Sequence, residues 1–172
     1  MLDAIRRRAR DVRTIARLLE GAEQASRARG EPSPGSEHLV LAALSLPDGT
    51  AASAFRRLGV DEDAFSEALA VQDVAALAAI GVHVPAEPDL SLPTPPAPRL
   101  FDAQPSARQL MQRMTDAQSN RVDRDLLGVD VLLAAAEEEH SACARAFRAL
   151  GITPERLRGA VSGALVEPPK MI

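Results

Sequence analysis

The sequence predicts an all-α fold made of two four-helix repeats, and three observations carry that prediction. The composition is 46% apolar yet holds only four aromatic residues, all Phe. A core of Ala, Leu and Val favours closely packed helices over a sheet rich in β-branched and aromatic side chains. Apolar residues also recur at helical spacing in one segment after another. Finally, the chain repeats itself at a fixed offset of 92: residues 36–69 and 128–161 share ten identities in 34 positions. The closest run is AFRRLG (54–59) against AFRALG (146–151). A period this long marks a duplicated unit and not a solenoid of short repeats. One copy alone is too small to cover its apolar faces. Two copies packed about an approximate two-fold axis complete one core, and 172 residues suffice to bury roughly 70% of the unfolded surface.

Each element follows from local signals. In the first helix, Leu2 to Arg29, the residues Ile5, Ala9, Val12, Ala16 and Leu19 step by four, three, four and three, giving one apolar face. Gly30 and the breaker run EPSPG end it. Ser36 is the expected N-cap of the second helix, which turns Leu39, Ala43 and Leu44 inward before Pro47 stops it. The third carries Ala51, Ala54, Phe55 and Leu58 and closes on Gly59. Asp61 caps a fourth with Phe65, Ala68 and Leu69 on its face, and VQDVAALAAIGV adds a short helix-like extension.

Seven of the thirteen prolines then fall between Pro85 and Pro105, a stretch that suits an extended, partly polyproline II linker. Beyond it the elements repeat. Residues 107–118 form a first helix with Leu110, Met111 and Met114 apolar, VDVLLAAAEEE the second, CARAFRALG the third and TPERLRGAV the fourth. Thr153 as N-cap with Pro154 at the first helical position starts that last helix. The expected organisation is a first repeat over 1–82, a linker over 83–104, a second repeat over 105–165 and a tail over 166–172, the repeats packing as one domain.

Charge and motifs exclude several functions. The formal charge is −4, and nineteen of the twenty basic residues are Arg, with Lys170 the exception. A net acidic chain argues against nucleic acid as the partner. Cys143 is the single cysteine, so neither an internal disulfide nor a Cys-based metal site can form. MLDAIRRRAR has no apolar core behind its charges and is no secretory signal, and no apolar run approaches a membrane span. The expected location is cytoplasmic. No GxxxxGK[ST], GxSxG or HExxH motif occurs, so neither ATP hydrolysis nor a cofactor or metal is expected. Glu137, Glu138 and Glu139 before His140 read as a solvated helical face, since consecutive helical positions point apart. Cys143 aligns with Ala51 and reads as a small core residue. Glu37 beside His38 lacks an evident third group for acid–base catalysis. Arg6, Arg10, Arg13 and Arg17 form a basic stripe beside the apolar face of the first helix. Such a stripe meets phosphates, an anionic membrane or an acidic partner, or else is a solvated face neutralised by neighbouring acids.

The run AEQASRARGEPSPGSEHLVLAAL resembles the opening repeat of the Clp N-terminal domain of ClpA- and ClpC-type AAA+ unfoldases. The family's Gly-Thr-Glu-His-Leu-Leu-Leu becomes Gly35 to Leu41, and its Leu-Gly-Val-Asp turn recurs at Leu58–Asp61 and, as Leu-Gly-Ile, at Leu150–Ile152. The likeness spans about residues 12–70 and 105–162. It implies a compact all-α docking module without catalysis, here as a free-standing copy because no ATPase module follows in this sequence. In some relatives the Glu of that motif helps bind phosphorylated arginine together with a Thr near the start of the first helix. Glu37 matches the Glu, whereas Val12 stands at the Thr position and Val129, beside Asp130, at the second Glu position, which argues against that ligand.

The function expected is a non-enzymatic protein-binding accessory of the Clp protease system, docking an unfoldase, adaptor or substrate. The alternatives are a factor that binds and stabilises the proteolytic core, or a regulator whose basic first helix touches nucleic acid. The candidate partner-binding residues are Glu37, His38, Arg13 and Arg17, with Glu37 expected to reach solvent near the arginines. The apolar faces satisfied within the chain imply a monomer.

Overall fold

The computed structural model describes residues 2–79, 103–119 and 124–166, and among these all regular structure is helical. The helices are α1 (Leu2–Ala28), α2 (Ser36–Leu44), α3 (Thr50–Leu58), α4 (Glu62–Ala79), α5 (Pro105–Ser119), α6 (Gly128–Ala135), α7 (Ala142–Ala149) and α8 (Pro154–Val166). The proline-rich linker lies outside the described residues but for Ala103 and Gln104, and the tail but for Val166. The extension after Leu69 is no separate helix; α4 continues through it to Ala79.

The offset of 92 relates the two sets of helices. Shifting α2, α3 and α4 by 92 lands on α6, α7 and α8, and α5 coincides with the second half of α1. Contacts between the halves are reciprocal: α3 packs on α8 as α4 packs on α7, and α2 packs on α6. At their centre Phe55, Phe65 and Phe147 form one cluster, with ring centroids 5.4 to 6.3 Å apart. Phe55 and Phe147, equivalent positions, are both buried, and each helps end its helix in the same way. The N–H of Val60 donates to the Phe55 carbonyl at 3.1 Å, and that of Ile152 to Phe147 at 2.8 Å. Both turns need the intervening glycine, because Gly59 (φ +73°) and Gly151 (φ +66°) adopt the left-handed conformation that side chains disfavour.

Helix starts follow the predicted signals with one exception. Asp61 accepts the Ala64 N–H at 2.8 Å, and Thr153 accepts that of Arg156 at 3.3 Å. At α2 the N-cap is Gly35; Ser36 is the first helical residue, and its hydroxyl is buried without a hydrogen-bond partner. The glutamates 137–139 also differ from expectation. α6 ends at Ala135, so they are not helical, and while Glu137 and Glu139 are exposed, Glu138 turns inward to Arg113, 3.7 Å away.

The largest departure concerns α1. Its core face is formed by Ile15, Leu18, Ala22 and Ala25. The stripe expected to be its apolar face points outward instead: Ile5 is 61% exposed, Val12 60% and Leu19 37%, with Ala9 and Ala16 between them also exposed. The equivalent residues of α5 explain the choice, since Ala107, Leu110 and Met114, at 92 beyond Ile15, Leu18 and Ala22, fill the same place in the other half.

Candidate functional site

Glu37 and His38 lie where the chain leaves the EPSPG breaker and enters α2. Both are buried, at 5% and 0% exposure, so Glu37 does not reach solvent. The reason is Gly35. The Glu37 carboxylate folds back over it, with Oε1 only 2.1 Å from where a Cβ would stand. The carboxylate thereby comes within 3.1 Å of His38 Nδ1, which accepts the Gly35 N–H at 2.9 Å. On the other side of the ring, Nε2 is 3.4 Å from Glu31 Oε1. That separation is at the long end for a hydrogen bond.

The network continues outward. Arg29 binds Glu31 at 3.1 Å and reaches Asp73 on α4. From the far side of the linker, Gln104 donates to Glu31 (3.3 Å) and to the Ser33 carbonyl (2.9 Å). The result is a chain of alternating charge, Asp73–Arg29–Glu31–His38–Glu37, tying together the end of α1, the start of α2 and the body of α4. Burial works against a charged His38, but hydrogen bonding and charge from Glu31 and Glu37 outweigh it and push the imidazole up to about 9. Charging the ring exchanges the Gly35 bond at Nδ1 for one to Glu37. Burial raises Glu31 too, yet His38 and Arg29 bring it below the usual carboxylate value. Asp73 is raised, by burial first and then by the negative Glu31 and Glu37, with Arg29 opposing.

Glu31, Glu37 and His38 offer ligand atoms within 4.8 Å of one another, a donor set that suits a divalent metal. The Arg29 guanidinium already holds Glu31 and the Gly35 N–H occupies Nδ1, whereas Nε2 is buried without a hydrogen-bond partner. Glu31, Arg29, Asp73 and Gln104 escaped the sequence reading. The one available signal was Glu31 inside the breaker run, seven residues before His38.

The start of α6 reproduces this device with other chemistry. Asp130, equivalent to His38, accepts the Leu127 N–H at 2.9 Å and is bound through both oxygens by Arg124. Val129, at the Glu37 position, is buried in the core. The first N–H groups of α6 are capped from the other half: Gly128 donates to Asp48 (3.2 Å) and Val129 to the Thr50 hydroxyl (3.2 Å).

Arg13 and Arg17 are exposed on α1, apart from this network. Arg17 lines a groove of about 670 Å³ between α1, α2 and α4, together with Gly21, Leu41, Ala42, Ser45 and Ser66. A groove of about 440 Å³ between α5, α6 and α8 is lined by Arg113, Leu133, Ala134, Glu137 and Arg158. The last five residues named for each groove are related one to one by the offset of 92. The four candidates therefore split into a buried pair, Glu37 and His38, and a surface pair, Arg13 and Arg17.

A Glu-His pair at a helix start within an all-helical chain is what the motif resemblance implied; its burial is not. The profile of the Clp repeat (R) N-terminal domain matches residues 13–123. The chain belongs to the Clp repeat N-terminal domain family. The matched stretch runs from the middle of α1 to just beyond α5; the kinship of α6 to α8 rests on the internal offset. Among curated proteins none is significantly similar in sequence. Membership ties this Clp repeat domain to the Clp system and to protein–protein interaction. No described helix is long and apolar enough to cross a membrane.

Proposed function

We propose that this Clp repeat domain is a non-enzymatic docking accessory of the Clp system, receiving an adaptor, a substrate or the unfoldase itself. The observation that carries the reading is the pair of equivalent open grooves, one beside each first helix, each lined by both apolar side chains and arginines. Clefts of this size take side chains or short peptide segments. The groups with reactive chemistry support the same conclusion. Glu37 and His38 are spent in the interior network, and burial raises the Cys143 thiol well above its ordinary value, leaving it protonated and a poor nucleophile.

The test is binding of the purified domain to the unfoldase, the adaptors and the proteolytic core of the Clp system from the same organism, by interferometry. Saturable binding to an unfoldase or adaptor, with no ATP turnover by the domain alone, is expected. Binding to the proteolytic core alone favours the stabilising-factor reading, and binding to none of them overturns the proposal.

A further inference from the structure

The first helix carries a second apolar face that is exposed among the described residues. Ile5, Ala9, Val12, Ala16 and Leu19 have the four-three spacing of a coiled-coil seam, and all five are exposed. Polar contacts fix this orientation. Asp11 accepts the Leu126 N–H at 2.8 Å and Asp125 holds Arg10 at 2.6 Å, so α1 is pinned with its seam outward.

The duplication shows that the seam is not a requirement of the architecture. Positions equivalent to Val12, Ala16 and Leu19 are Gln104, Arg108 and Met111, and α5 still packs through Ala107, Leu110 and Met114. Over Val12 to Leu19 the stripe is apolar and exposed, whereas its described counterpart is interrupted by Gln104 and Arg108, and an exposed apolar stripe of this kind marks an interaction surface. Its borders specify the partner. Arg6, Arg13 and Arg17 run along one edge and Arg8 along the other, all exposed and without a hydrogen bond or ion pair among the described residues. Glu20 and Glu23 lie only at the C-terminal end. A second copy of this chain would set arginine flank against arginine flank over most of the seam.

We infer that the outward seam of α1 docks an amphipathic helix of a partner protein whose apolar ridge is flanked by Asp and Glu. The apolar ridge fills the seam, and the acidic flanks meet the arginines in charge-assisted contacts. This rests on the docking reading above and names its surface and the chemistry of its partner.

The test uses the whole chain and two designed three-heptad helical peptides, each with a Leu seam, one flanked by Glu and the other by Lys. Vesicles of phosphatidylglycerol and sedimentation of the protein alone complete the set. The Glu peptide should bind about tenfold or more tighter than the Lys peptide and weaken with salt. Val12→Asp should lose about tenfold or more of that affinity, and the double variant Arg13→Glu/Arg17→Glu should lose it too, together with the salt dependence. Equal binding of the two peptides, or wild-type binding by Val12→Asp, overturns the inference. So does vesicle binding without peptide binding, or self-association that Val12→Asp abolishes. If Val12→Asp still binds its Clp component at full affinity, the docking function stands and this surface falls. If the Glu peptide binds through the seam while no Clp component does, the surface stands and the Clp assignment falls.

Discussion

The starts of α2 and α6 hold the same backbone device with opposite electrostatics. In both, the third helical residue lies against the N–H of the N-cap: the neutral ring of His38 accepts it from Gly35, and Asp130 accepts it from Leu127. Around His38 stand two carboxylates, Glu31 and Glu37; around Asp130 stands a guanidinium, Arg124. The geometry of the helix start is thus preserved between the copies while the sign of the buried charge is not. What each half must preserve is an opposite charge beside the buried group, because an unpaired one costs several kcal/mol. The consequence is that the first copy's start carries a group, His38, whose charge is lost as pH rises through about 9.

The comparison can be broken most forcefully at the element the halves share. Phe55→Ala and Phe147→Ala should each cost about 3–5 kcal/mol, with one cooperative transition by denaturant and by heat. A loss confined to one half, seen as two transitions, would separate the copies. Next in size is the ion pair of the second start. Arg124→Ala leaves Asp130 buried without its guanidinium and should cost roughly 1.5–3 kcal/mol in urea unfolding. Asp130→Asn, which keeps a back-bond to Leu127, should cost less.

The first start should answer to pH instead. Because the folded value of His38, about 9, lies above the ordinary 6.5, its contribution is complete below about pH 6.5. That contribution drains away as pH rises through about 9, so the urea midpoint should fall across this window. Glu31→Gln should flatten the fall, and an unchanged slope would show that Glu31 does not hold the imidazole charged. The smallest effects belong to the equivalent caps. Asp61→Ala and Thr153→Ala should each cost about 1 kcal/mol, Thr153 somewhat less because its bond is longer.

Much of this architecture was readable from residues with one local job. Asp61, Thr153 and Gly59 mark helix boundaries through their own backbone chemistry, and the offset of 92 found the second copy. Misreadings came where direction mattered more than identity. Periodicity detects an apolar stripe but not what it faces, and α1 carries two: Ile5 to Leu19 outward, and Ile15, Leu18 and Ala22 inward. Extending the offset back to Leu110 and Met114 would have separated them. A place in the first turn of a helix suggests solvent for Glu37, and a run of consecutive glutamates suggests a solvated helical face for Glu138. Their burial depends on partners distant in sequence or on missing atoms: Arg113 for one, the absent Gly35 side chain for the other. The network of Arg29, Glu31, Asp73 and Gln104 exists only after α4 and the second half have docked.

The central claim is that the motif carrying the family likeness is spent inside the fold and that binding belongs to the surface of α1. Hydroxyl-radical footprinting of the domain, free and bound to its Clp component, tests this directly. Ile5, Val12 and Leu19 should become protected in the complex, while Glu37 and His38 stay as unreactive as in the free protein. Protection that leaves these three untouched, with His38 becoming reactive as α2 opens to the partner, would contradict it.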